Sequence, residues 1–305
     1  LSLFVLLAAL AWEHYHPLAE FNPVTRWLQR YADWLGAHFN GGQPYHGFLA
    51  WGMGALLPAL AAGLAGVLLG SLNVLLAWAW GVVVLYFCLG YKQTWDRMGE
   101  VAAALRAGDL DLARQTLKAW RGGSVEAFGQ TDVAKVAVEE ALRSAFARLI
   151  GVIFWFVLLG PLGAVLYRSG RQLRDHWQAH MPERGDFLGH VDLIVRILDW
   201  LPARAAAVSF AIVGSFQGAL DCWRSQAWQW WEKNEGVVLA AGAGALGVRL
   251  GGPLPLPVGT VERAELGTGH DADADYLEGA QALIGRTVLL WVAVLVLLKL
   301  GELAA

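Results

Sequence analysis

Charge is scarce in this sequence. Asp, Glu, Lys and Arg make up 16% of the 305 residues, where a soluble domain carries roughly a quarter. Hydrophobic residues make up 56%, so the shortage of charge points to lipid rather than water as the main surroundings. The formal net charge is only -3 and no Lys/Arg-rich run exists, which excludes a nucleic-acid partner. Cysteine is nearly absent too. Cys88 and Cys222, both inside apolar stretches, build neither a disulfide framework nor a Cys-based metal centre, and buried free thiols are expected. The sequence has no P-loop, no G-x-S-x-G elbow and no H-E-x-x-H pair, so the usual soluble-enzyme chemistries are not advertised.

What the chain does have is long apolar runs and tryptophan. A bilayer core of about 30 Å needs roughly 17 to 25 apolar residues in a helix. Residues Phe48 to Leu72, Val74 to Tyr91, Leu149 to Tyr167 and Thr287 to Leu300 reach or approach that length. Only Gly70 to Asn73 separate the cores of the first two, which predicts a tight helical hairpin. Ala203 to Leu220 is a fifth candidate, and Leu1 to Trp12 is a short sixth, expected as a retained first helix rather than a cleaved leader. The fold class is therefore all-α: one polytopic membrane domain over 1–305 with five or six membrane segments, multi-pass in a bacterial inner membrane. The sixteen Trp residues suit the membrane-water boundary, where an apolar ring with one N–H donor is favoured. Trp228, Trp230 and Trp231 are expected at headgroup depth.

Basic residues flank both ends of the third run: Arg143 and Arg148 before it, Arg168, Arg171 and Arg174 after it. A single crossing gives no clean orientation from such a pattern. If Gly160-Pro161 breaks the run into a re-entrant hairpin, both clusters fall on one side. Between the second and third runs, residues 92–148 read as a water-exposed helical insertion, with Asp109 as an N-cap for Leu110 to Trp120 and Thr131 or Asp132 capping the helix that follows. Residues 168–200 and 251–284 read as polar loops.

Three motifs have blander readings. Gly242-Ala243-Gly244-Ala245-Leu246-Gly247 spells G-x-G-x-x-G, but no strand precedes it, and small residues in an apolar setting serve close helix packing. Asp271, Asp273 and Asp275 alternate like a Ca²⁺ loop, yet the Gly and Glu that an EF-hand requires are replaced by Tyr276 and Ala282. Glu13-His14-Tyr15-His16 places its two His at i, i+2, off a shared helix face. No metal ligand set is expected.

Ordered likenesses along the chain are more specific. Gly244 to Pro253 reads G-A-L-G-V-R-L-G-G-P, preceded by Asn234 and Gly236 in an N-x-G; Asp199 to Arg204 reads D-W-L-P-A-R; Arg106 to Leu110, with Ala113 and Arg114, reads R-A-G-D-L-x-x-A-R. In this order they resemble the signatures of the CobD/CbiB superfamily of cobalamin-pathway membrane proteins over nearly the whole chain. The resemblance implies an adenosylcobinamide-phosphate synthase, which joins a corrinoid carboxyl to the amine of aminopropanol (phosphate) with ATP and Mg²⁺. The acidic signatures of that enzyme are altered here. Aligned on Phe154-Trp155, Glu139 keeps the first carboxylate, whereas Arg143, Ser144, Ala147 and Arg148 stand where the family has Glu, Asn, Asp and Gly. Further on, Arg171 and Arg174 stand in place of an Asn and an Asp.

Mg²⁺ and polyphosphate need carboxylates and carbonyl oxygens, and Arg at these places reverses the local charge. The pattern is similar to the AmpE-like branch of the superfamily, which implies a catalytically degenerate protein that binds a ligand and acts in signalling or scaffolding. The competing expectation is an active synthase, and only that reading brings ATP and Mg as cofactors. Glu139 is the candidate catalytic residue. Asn234, Gly236, Arg249, Arg143, Arg171 and Arg174 are the candidate ligand contacts, suited to a corrinoid or other anionic ligand. Membrane lipid and a homo-oligomer or membrane partner complete the expected partners.

Overall fold

The computed structural model describes residues 2–18, 22–39, 45–181, 185–257 and 259–304. Helix α1 (Ser2–Tyr15) is followed by α2 (Pro23–His38), opened by Asn22, whose side chain accepts from the Thr25 N–H at 2.9 Å. Helix α3 (Tyr45–Trp51) runs through a π-turn at Gly52–Leu56 into α4 (Leu57–Leu72). Asn73 then leaves helical geometry and caps α5 (Val74–Cys88) by accepting from the Leu75 N–H. Helix α6 (Tyr91–Arg106) and α7 (Leu110–Arg121) come next, the latter capped by Asp109 as its sequence predicts. Helix α8 (Gln130–Ala145) passes through a second π-turn, Phe146–Ile150, into α9 (Gly151–Leu159). Its cap is Gly129, whose N–H is taken up by Asp132. Then follow α10 (Pro161–His180), α11 (Gly185–Val213), α12 (Phe216–Gln226) and α13 (Lys233–Leu246). Short strands β1 (Val248–Gly251), β2 (Leu254–Leu256), β3 (Gly259–Val261), β4 (Glu265–Gly267) and β5 (His270–Asp271) precede α14 (Ala274–Ala304).

The protein is an all-α polytopic membrane protein. Among the described residues, four helical stretches, Tyr45–Leu72, Val74–Arg106, Gln130–Leu159 and Ala274–Gly301, are long and apolar enough to cross a bilayer, and Leu3–Tyr15 is a shorter apolar helix. The chain forms two compact units, each built from two separated stretches: Leu1–Gly90 with Ala147–Pro202, and Tyr91–Phe146 with Ala203–Ala305.

In the first unit, α4 and α5 form the expected hairpin, tied by Trp80 Nε1 donating to the Ala62 carbonyl at 2.9 Å. Helix α1 lies along α5 in the same direction, Phe4 stacking on Trp78 and Trp12 on Tyr86. The run Leu149 to Tyr167 does not cross as one helix. Gly160 adopts φ +63°, open to glycine at little cost, and Pro161 supplies the first turn of α10 without needing an N–H acceptor. Helices α9 and α10 are therefore antiparallel, so tightly packed that a Cβ on Gly163 would collide with the Trp155 carbonyl and one on Gly151 with the Tyr167 ring.

The depth of this hairpin is fixed by α4. A Cβ on Gly66 would lie 3.8 Å from Pro161, while the α4–α5 turn at Asn73 is about 10 Å farther along the helix at about 1.5 Å per residue. The reversal thus stops short of the turn that marks the far end of α4, as a re-entrant segment does. Arg148, whose side chain packs beside Gly90, and Arg168 lie at its open end. At that end a core of Leu28, Ala32, Leu35, Trp51, Leu173 and Trp177 joins α2, α3 and α10, and the Trp177 indole donates to the Ala32 carbonyl at 2.9 Å.

In the second unit, α13 is buried along most of its length. Its G-x-G-x-x-G run serves close approach: a Cβ on Gly242 would meet the Leu142 side chain, and one on Gly244 would collide with the Gly218 carbonyl. Strand β1 pairs with β4 antiparallel and β5 parallel, and β2 pairs with β3. Asp271 pairs with Arg249, and Asp273 accepts from the Asp275 and Tyr276 N–H groups to cap α14. The alternating acids thus belong to an ion pair and a helix cap.

Several expectations are corrected. Residues 168–180 and 185–200 are helical in α10 and α11, with 182–184 outside the described residues, because Leu173 and Trp177 on α10, and Leu188 and Val191 on α11, are buried at helical spacing. Residues 251–284 hold strands and the start of α14 rather than a polar loop. The Ala203 to Leu220 segment is broken at Gly214-Ser215, where Ser215 Oγ accepts from the Gly218 N–H to start α12. Trp230 is buried within the protein.

In a Cys88→Ala, Cys222→Ala background, single cysteines at Arg148 and Asp175 should react with an impermeant maleimide from the same side of sealed vesicles. Labelling from opposite sides would refute the re-entrant hairpin.

Candidate functional site

Helix α8 is buried on nearly every side from Val133 to Ala145, so a carboxylate on it must be met by donors. Glu139 is met by three. Its Oε1 accepts from the Gly251 N–H at 2.7 Å and from Arg263 Nη2 at 3.1 Å, and its Oε2 accepts from Arg263 Nη1 at 2.7 Å. The two side chains are 10% and 6% exposed. Arg263 also donates to the Gly252 and Gly251 carbonyls and lies 5.7 Å over the buried Trp230 ring. Gly251 has φ +68°, and a Cβ there would collide with the Ala264 carbonyl. Glycine is therefore required for the loop to bring its N–H to Glu139.

The neighbouring carboxylate is engaged as well. Glu140 accepts from Arg143 and, at 2.7 Å, from Ser144 Oγ. Both glutamates open onto a cleft of about 280 Å³, walled also by Arg121, Arg143, Trp231, Glu235 and Arg263. Trp231 stacks on Trp230 at 4.0 Å and is 66% exposed, giving the cleft an aromatic rim. Arg121, at the end of α7, makes no hydrogen bond or ion pair among the described residues. Burial, and next the nearby Arg143 guanidinium, lower its pKa, opposed by Glu140 and Glu139. An anion seated between Arg121 and Arg143 would relieve that repulsion.

The predicted residues do not form one site. Glu139 and Arg143 share the cleft. Asn234 is buried beside it and accepts from Arg204 at 2.9 Å, and Gly236 provides close packing, since a Cβ there would collide with the Ala227 carbonyl. Arg249 lines a different depression with Lys135, Gly252 and Glu265, and is paired with Asp271 at 2.8 Å. Arg171 and Arg174 belong to the other unit. Arg171 is buried against Asp199 at 2.6 Å, and Arg174 pairs with Asp175 at 2.8 Å. Sequence reasoning missed Arg121, Glu140, Trp230 and Arg263. Glu140 follows Glu139 on a buried helix, which was a usable signal; Arg263 lies 124 residues from its partner and left none.

The family profile described as CobD/Cbib protein matches residues 4–284. The chain belongs to the CobD/Cbib family. It is 35% identical over 284 residues to a cobalamin biosynthesis protein CobD of Stutzerimonas stutzeri (strain A1501), covering 92% of this chain and 90% of that one. A protein of the same name from Chromobacterium violaceum is 33% identical over 212 residues, covering 70% and 68%. One from Mycobacterium tuberculosis (strain ATCC 25618 / H37Rv) is 29% identical over 272 residues, covering 79% and 80%. No solved structure matches the chain.

The Mg²⁺ that CobD/CbiB-type synthesis implies finds no fitting donor set at Glu139 and Glu140, the buried carboxylates of this cleft. Such an ion takes oxygen ligands in near-octahedral geometry, and all four carboxylate oxygens of Glu139 and Glu140 already accept from Arg263, Gly251, Arg143 and Ser144.

Breaking the buried pair should be costly. Arg263→Ala leaves Glu139 buried without its main partner and should lower unfolding free energy by about 3–5 kcal/mol, read as a fall in denaturation midpoint in detergent. Glu139→Leu with Arg263→Met should recover most of it; no recovery would mean the pair holds the cleft by shape rather than by charge.

Proposed function

We propose that this CobD/Cbib-family protein is a catalytically degenerate relative of the cobalamin-pathway synthase, a multi-pass protein of the bacterial inner membrane whose cleft holds an anionic ligand. The observation that carries this reading is the occupation of the two buried cleft carboxylates, Glu139 and Glu140, by arginines. A carboxylate that serves a metal or acts as a base must be able to leave its partners, and Glu139 is bound by one guanidinium and a backbone N–H at once. What the cleft offers instead is Arg121, Arg143 and an aromatic rim, suited to a carboxylate or phosphate group. A corrinoid-pathway acid fits that description. The role downstream is signalling or scaffolding, in the manner of the AmpE-like branch, through a second copy or another membrane protein. Arg249, Arg171 and Arg174 are not needed for this reading.

A second reading is favoured by one specific observation. The identity of 35% to a cobalamin biosynthesis protein CobD extends over 92% of the chain, which suits an active synthase that has replaced its acidic residues by another solution.

The decisive experiment is growth rescue of a synthase-deficient strain fed cobyric acid. The wild-type chain, with membrane expression confirmed, is expected to give no rescue. Rescue by the wild type, lost on Glu139→Gln, would overturn the degenerate reading and establish the synthase.

A further inference from the structure

Helix α2 carries a surface that the cleft does not explain. At about 100° per residue, three faces follow one another around it. Leu28, Ala32, Leu35 and Gly36 are buried against the rest of the unit. Beside them come Val24, Trp27, Tyr31, Trp34 and His38, and beyond these Arg30 and Arg26. The aromatic face forms a continuous ladder. Trp27 stacks on Tyr31 at 5.3 Å, Tyr31 on Trp34 at 6.0 Å, and Trp34 meets His38 at 4.5 Å. It is also largely bare, with Val24 48%, Trp27 58% and Trp34 46% exposed.

The height of α2 follows from its contacts. Tyr31 Oη donates to the Met53 carbonyl at 3.4 Å, and Trp177, near the polar end of α10, donates to Ala32. From Met53 to the α4–α5 turn at Asn73 is about 30 Å of helix, one hydrocarbon thickness. Helix α2 therefore sits at the boundary opposite that turn, on the side of the hairpin's open, basic end, where His176 reaches Asp33 at 2.6 Å. A helix there that turns from core to aromatic to arginine matches the chemistry of an interface: rings at the acyl boundary, guanidiniums on phosphates.

We infer that α2 is an interfacial anchor lying along the bilayer, with Val24, Trp27 and Trp34 in the acyl–headgroup boundary and Arg26 and Arg30 binding anionic lipid headgroups. The occupant of this face is lipid, not a second protein. The guanidiniums lie on the edge of the stripe rather than within it, as an apolar layer bordered by phosphates demands.

The test uses the full chain in the Cys88→Ala, Cys222→Ala background, with an environment-sensitive fluorophore on single cysteines at Val24, Trp27 or Ala37. The protein is reconstituted in phosphatidylcholine vesicles carrying a shallow acyl-chain spin label, with or without phosphatidylglycerol. Labels at 24 and 27 should be quenched by the lipid at least about twofold more than the label at 37 on the arginine side. Equal quenching at the three positions would overturn the proposal. So would protection of 24 and 27 from both the lipid quencher and aqueous iodide, which would mean that protein covers the stripe. Quenching at 27 should rise with phosphatidylglycerol and lose that dependence in Arg26→Gln, Arg30→Gln. A wild-type response indifferent to phosphatidylglycerol would refute the headgroup assignment.

Discussion

An ion taken out of water beside apolar helices costs several kcal/mol unless a counter-ion with good geometry meets it. Among the described residues, each of the two units contains such a pair. In the first, Arg171 on α10 meets Asp199 on α11, joining the returning arm of the hairpin to the helix that follows. In the second, Glu139 on α8 meets Arg263 in the stretch between β3 and β4, and the Gly251 N–H completes the carboxylate's partners. The small strand region therefore stays on the helices because letting go would strand a buried carboxylate. The walls of the cleft, and the geometry of the neighbouring Glu140 and Arg143, follow from that attachment.

The same requirement explains which parts of the molecule were legible in the sequence. Apolar length announces membrane helices, so the α4–α5 hairpin and the apolar body of α14 could be read directly. Gly160-Pro161, flanked by basic residues on both sides, announced a reversal, because one residue there tolerates positive φ and the other lacks an N–H. Helix packing was readable as well: the glycines at 242 and 244 act as spacers, not as a nucleotide loop. What misled was polarity. Residues 168–200 looked like loop because their charges drew attention from Leu173 and Trp177, and from Leu188 and Val191, two pairs whose spacings mark buried faces on α10 and α11.

The site was less legible than the fold for a physical reason. An ion pair is visible in sequence only when its members are a helical turn apart, as Glu140 and Arg143 are. Glu139 and Arg263 are joined by folding alone, and neither residue's neighbours distinguish it from other acids and bases. Arg171 and Arg174 stand where an Asn and an Asp of the family are expected and drew the same ligand-binding assignment as Arg143. The fold separates them, giving Arg171 a buried structural partner and leaving Arg143 on the cleft.

The interleaving of the two units has a further consequence for how the protein comes into being. The first unit needs residues up to Pro202 before its last elements exist, and the second begins at Tyr91 and ends at the C-terminus. A chain that leaves the ribosome from its N-terminus therefore cannot finish one unit before starting the other. The insertion machinery must hold α6, α7 and α8 unfinished while the hairpin of α9 and α10 is emplaced. Splitting the gene at any single point leaves at least one unit divided, so neither half is expected to behave as an independently folding domain.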